Sequence, residues 1–273
     1  MSRVLKSEPP AQRQVHTTLM YMARNVECLR VDELDLQQLE NLNVDVVPLA
    51  LDETSPHQPS YFAPLPSHSI PEPNDDDLGE SFNGHDDETE DDDSSAHPAD
   101  RAYWMSGHLE HYISYYEQKA RGDRFTWVAD DGSEFPGTAL CDSDMDNERG
   151  QPDFVCYDIA EPEDPAYPHA KAIMFNNLIP TDSSILYGEL ISILRIMLTQ
   201  LRMSKFLHQF VTPVLIFSLM GFQARVIEAF FKDDKLVLRL TKFYDFSHGN
   251  RNAFKTFALW WLGNPVGTTT QTS

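Results

Sequence analysis

The chain of 273 residues is 41% hydrophobic and 11% aromatic, which supplies a substantial core and excludes a wholly disordered protein. Its net charge of −22 is uneven: residues 71–100 hold thirteen acids and no Lys or Arg, whereas residues 101–273 hold twenty-one acids against sixteen bases. Cys28, Cys141 and Cys156 match no zinc or redox spacing, the N-terminus lacks the apolar run of a signal peptide, and the longest apolar stretch, near residues 211–221, is far short of the roughly twenty residues of a membrane span. An intracellular protein of nucleus or cytoplasm with no membrane partner is therefore expected.

In chain order, residues 11–47 read as helical, with Val15, Leu19, Met22 and Val26 on one face and Leu34, Leu36, Leu39 and Leu42 following. Residues 52–100 are poor in aliphatics and rich in Pro, Asp, Glu and Ser, and 88–93 is nearly all acidic. Such a stretch lacks the apolar area to offset its ordering entropy, so a disordered acidic linker is expected. It serves as a solubilising spacer, a mimic of a phosphate backbone, or a tail lying on a basic face; its spacing does not separate these. The boundaries expected are an N-terminal helical segment at 1–51, the linker at 52–100 and an α/β domain at 101–273.

In that domain a helix begins at Asp100, as N-cap, and ends near Gly122. Strands are expected at 125–128, 138–141, 154–157 and 172–175, with a turn at Asp131-Gly132. A helix over 183–205, capped by Ser183 or Ser184, carries Leu186, Leu190, Ile193, Leu194, Met197 and Leu198 on one face. Residues 213–218 form a strand apolar on both faces, 223–231 and 235–243 pair as a hairpin about Asp233-Asp234, and 252–262 is a closing amphipathic helix. A single mixed-sheet α/β (α+β) domain flanked by helices follows.

Candidate chemistry is sparse. Residues 142–153 place oxygens at positions 1, 3, 5, 7 and 12 of a calcium-loop frame, but Asn147 replaces the central Gly and Asp153 the final Glu, so an acidic surface loop is the better reading. His108 and His111 stand three apart on a helix without a third ligand, which reads as packing. Ser218 has no matching base and reads as a strand-end serine. The late part of the chain, 180–273, carries ten bases against six acids, and Arg225, Arg239 and Lys242 beside Phe243 and Tyr244 are candidates for nucleic-acid binding.

The order of helix, three strands, helix and buried strand, with Pro152-Asp153 ahead of the third strand, resembles the αβββαβ core of the PD-(D/E)xK nuclease superfamily. The resemblance spans roughly residues 101–243. It implies a metal-dependent nuclease site in which Asp153 binds Mg²⁺, Glu189 adds a carboxylate and Gln200 assists from the helix. The pattern departs at its ExK element, because Met174 and Asn176, or Phe175 and Asn177, stand where the acid and Lys belong. Met and Phe cannot ligate Mg²⁺ and Asn cannot supply the cation, so an inactive nuclease-like domain retained for binding nucleic acid or protein is expected. The alternative is a protein-interaction module without nuclease ancestry, engaging its partner through the linker and N-terminal helices. The run TPVLIFSLMGFQARVIEAFF, with LVLRLTKFYDF and ALWWLG, is similar to a filamentous-fungal family with no assigned activity.

Overall fold

The computed structural model describes residues 9–52, 54–66, 70–78, 82, 97–120, 125–129, 135 and 154–270. In chain order the elements are α1 (Pro10–Leu29), β1 (Glu33–Leu34), α2 (Leu36–Asn41), β2 (Val44–Pro48), β3 (Phe62–Ala63), α3 (Asp75–Leu78), α4 (Pro98–Lys119), β4 (Trp127–Ala129), β5 (Phe154–Pro162) and β6 (Ala170–Asn176). They continue with β7 (Ile185–Leu186), α5 (Tyr187–Arg202), β8 (Val214–Met220), β9 (Gln223–Lys232), β10 (Lys235–Leu240), β11 (Tyr244–Asp245), α6 (Arg251–Trp261) and β12 (Asn264–Pro265). The expected strand at 138–141, the turn at Asp131-Gly132, the calcium-like loop at 142–153 and the acidic run at 88–93 lie outside the described residues.

One mixed sheet of eight strands organises the domain, in the order β2-β10-β9-β8-β6-β5-β4, with β11 also on β9. β4, β5 and β6 pair antiparallel in succession, and β6 and β8 pair parallel across the α5 crossover. Alternation assigns the two faces. Ala172, Met174 and Ile216 face α1 and α5, whereas Ile173, Leu215 and Phe217 face α4 and α6. β8 is buried along its whole length, as its unbroken apolar run requires. The hairpin turns at Asp233 and Asp234, with φ of 52° and 60°, the left-handed pair that matches strand twist.

The N-terminal region differs from expectation. α1 packs on α5 through Leu19, Met22 and Val26, but residues 44–48 leave the helical pattern. Their β-branched valines pair parallel with Leu236–Leu240 of β10 and extend the sheet. The stretch expected to be linker is also partly built in. Phe62 and Leu65 are buried, β3 pairs with β12, and Glu228 accepts the N–H groups of Ser60 and Tyr61, both at 2.7 Å. Arg239 reaches the same segment, donating to Ser60 Oγ at 2.8 Å and to the His57 carbonyl at 3.1 Å. Few aliphatics suffice here because the buried Glu228 of β9 and the partly buried Arg239 of β10 satisfy the backbone directly.

The boundary expected at residue 101 therefore cuts through the fold. Removing residues 1–51 takes away buried apolar side chains that include Leu19, Met22, Val26, Leu34, Leu39 and Val44. At about 1.5–3 kcal/mol each, their loss matches the roughly 5–15 kcal/mol stability of a typical domain. A fragment of residues 101–273 should show no cooperative thermal transition by circular dichroism, whereas the full chain melts cooperatively.

A clasp at the far edge holds the C-terminal segment. Lys171 is fully buried, and its Nζ donates to the carbonyls of Trp261 and Gly263, both at 2.8 Å, while lying 3.8 Å over the Trp127 ring. Burial holds its pKa well below the ordinary lysine value. His169 beside it is also fully buried, with Nε2 donating to the Val266 carbonyl at 3.0 Å. Burial first, then the Lys171 charge, lowers its pKa to about 4. Between that value and the unfolded-state pKa near 6.5 the unfolded chain binds a proton that the folded chain does not. The stabilisation is thus complete above about pH 6.5 and lost as pH falls toward 4. In thermal melts from pH 7 to pH 4, His169→Gln should lose Tm less steeply than wild type.

Candidate functional site

The residues that the nuclease resemblance singles out fall at two ends of α5. Its head begins at Tyr187 with Leu186 as cap, beyond both expected caps, Ser183 and Ser184. Ser184 is occupied elsewhere, its hydroxyl bonded to Glu33 of β1 and within the turn that starts at Thr181. Glu189 performs the capping instead, its Oε2 accepting the Leu186 N–H at 2.9 Å.

Glu189 is completely buried and pairs side-on with Arg225 of β9, which is also buried. Arg225 Nε donates to Glu189 Oε1 at 2.8 Å, Nη2 donates to Oε2, and Nη1 donates to the Ser184 carbonyl at 2.9 Å. The guanidinium also lies 5.0 Å over the Phe243 ring. Both carboxylate oxygens are thus committed, and the pair's hydrogen bonds compensate its desolvation.

Beside this pair runs a polar row across the sheet. Asn176 Nδ2 donates to Ser218 Oγ at 2.9 Å, Ser218 is in register with Arg225, and Asn176 is in register with Phe154. Gly188 lies against Phe154 so closely that an added Cβ would come within 2.5 Å of that ring, so any side chain there pushes α5 off β5. A water-sized cavity of about 20 Å³ remains, lined by Asp32, Asn176 and Gly188 among others. Asp153 lies outside the described residues.

Gln200 does not join this end. Eleven residues separate it from Glu189, roughly 16 Å along the helix axis. Its Nε2 donates to the Pro168 carbonyl at 3.1 Å, ahead of the opposite end of β6. Met174 is fully buried among the α5-facing apolar side chains. The donor set expected for Mg²⁺ does not fit here: Glu189 is taken by Arg225, Gln200 is remote, and Met174 offers no oxygen. Among the described residues no three His, Cys, Asp or Glu side chains group as metal ligands.

The expected nucleic-acid-binding trio separates as well. Arg225 is buried against Glu189, Arg239 is committed to Glu228 at 2.8 Å and to residues 57–60, and Lys242 is exposed. No helix among the described residues is long and apolar enough to cross a membrane. Sequence reasoning missed Lys171, Arg239 and Glu228 as internal fasteners. The signal open to it was a lone Lys or Glu inside an otherwise apolar strand. Compared with known proteins, the chain matches no family model, no curated protein and no solved structure. The functional reading therefore rests on the chain's own residues.

Glu189→Ala leaves the Arg225 guanidinium buried with an unpaired charge, which should destabilise the fold by about 3–5 kcal/mol. Urea unfolding of Glu189→Ala and of the apolar double replacement Glu189→Leu/Arg225→Met checks this. The double variant should recover most of the loss.

Proposed function

We propose that the chain is a non-catalytic module on a PD-(D/E)xK-like core that binds a protein partner. The order α4, β4, β5, β6, α5, β8, with its antiparallel meander and parallel crossover, supports the nuclease-like reading. The single observation that carries the non-catalytic part is the Glu189–Arg225 pair. A carboxylate whose two oxygens accept from a guanidinium and a backbone N–H, with no solvent exposure, presents no open face to a metal ion. A protein partner is favoured over nucleic acid because Arg225 and Arg239 spend their charge inside the fold. The separation of Gln200 from Glu189 favours the second reading, an interaction module of independent ancestry.

Purified full-length chain, incubated with supercoiled plasmid, single-stranded DNA or RNA and either Mg²⁺ or Mn²⁺, should give no cleavage above an Asp153→Ala control. Divalent-dependent cleavage that disappears in Asp153→Ala would overturn the proposal.

A further inference from the structure

The segment at residues 70–78, with Phe82, lies across the cleft between α4 and α6. Its one-turn helix α3 is too short to hold itself, and its ends are tied by reciprocal bonds between Asn74 and Asp77, both 3.0 Å. Leu78 is buried in the apolar cluster that α4 and α6 share. Phe82 stacks on His108 of α4 at 5.3 Å and meets Phe254 of α6 edge-on at 5.3 Å. Tyr115 Oη donates to the Pro71 carbonyl at 3.2 Å. Along the α6 wall, Arg251 pairs with Asp75 and Lys255 with Glu72. The sequence beyond Phe82 continues acidic, with no Lys or Arg before Arg101.

We propose that the α4–α6 cleft is a docking groove for an acidic peptide with two apolar anchors, presented by a partner protein, and that residues 70–78 with Phe82 occupy it in cis. The proposal rests on the protein-binding reading and names its partner class. The occupant's chemistry is written in the segment already seated there: apolar side chains four residues apart, and acids three and six residues before the first. The floor is aromatic and the wall carries two cations one helical turn apart, which suits an acidic amphipathic peptide better than a phosphate chain.

The cis segment is poised to leave. Its ion pairs face solvent, with Arg251 and Asp75 side chains 57% and 63% exposed, so they hold it weakly and less so in salt. Leu78 and Phe82, with smaller contacts from Ile70 and Pro73, oppose the entropy of ordering the whole strap. Its tether supplies an effective concentration on the order of millimolar, so a partner must bind the open groove far more tightly than that to displace it.

The test uses the full chain and a fluorescein-labelled peptide with the sequence IPEPNDDDLGESF, followed by anisotropy in 0.1 M salt. Two variants loosen the strap: Leu78→Ser/Phe82→Ser removes its anchors, and Glu72→Lys/Asp75→Lys reverses exposed charges without touching the core. Each should bind the peptide at least tenfold tighter than wild type. Adding Arg251→Glu/Lys255→Glu to the anchor variant should abolish binding, and a peptide with its two matching acids changed to Lys should restore it. Equal binding by wild type and both loosened variants would sink the proposal. So would failure of the charge swap, or an oligonucleotide of equal charge that competes as well as the peptide. The titration is blind to cleavage, so its failure removes the groove and leaves the non-catalytic reading to the nuclease assay.

Discussion

The Glu189–Arg225 pair is the interaction on which the rest of the arrangement depends. It fastens the head of α5 to β9 and, through the Ser184 carbonyl, to the loop that delivers the chain from β6. α5 is the crossover between the two parallel strands, so its placement fixes how β6 and β8 meet. Two fully desolvated charges are tolerated because each is multiply hydrogen-bonded; either alone would be expensive to bury. The same bonds occupy both oxygens of the carboxylate.

The device recurs. Glu228 and Arg239 fasten the segment before β3, and Lys171 fastens the chain after α6. In each case a charged side chain on a strand satisfies backbone groups of a segment that has little apolar surface of its own. Two of the cations that make the late part of the chain look basic, Arg225 and Arg239, are therefore internal fasteners. The surface cations Arg251 and Lys255 face acids of the preceding segment. The excess of ten bases over six acids in 180–273 reads better as intramolecular charge balance than as an open basic face.

What the sequence revealed follows from how locally each feature is encoded. α5, β8 and the β9–β10 hairpin were legible because apolar period and turn chemistry lie within a few residues: the leucines and isoleucines of α5, the unbroken run of β8, and the Asp233-Asp234 pair. α6 was legible for the same reason, with Asn250 capping it through the Ala253 N–H at 3.1 Å. β2 was not, because its strand state is set by a parallel partner nearly two hundred residues later. The fold of residues 54–66 was hidden for a related reason: composition counts a segment's own apolar atoms and cannot see Glu228 and Arg239 waiting for its backbone. For the candidate site, residue types were legible but pairing was not. Glu189 and Arg225 both stood out, one as a catalytic acid and the other as a nucleic-acid contact. Only the packing of α5 on β9 shows that they neutralise each other.

The residues at the expected ExK position fit this account. Once Glu189 is sealed by Arg225, an acid at 174 would enter a fully buried apolar layer with no cation left to receive it. Met174 fills that place with a flexible apolar side chain. Asn176, one turn of the pleat further on, keeps a polar function but spends it on Ser218. These residues are mutually consistent: Met174 brings no charge into the apolar layer, and the carboxylate at the head of α5 has its counter-charge in Arg225. An acid introduced alone at 174 or 176 would bury an unpaired charge, so this end of the sheet is stable as a packed joint.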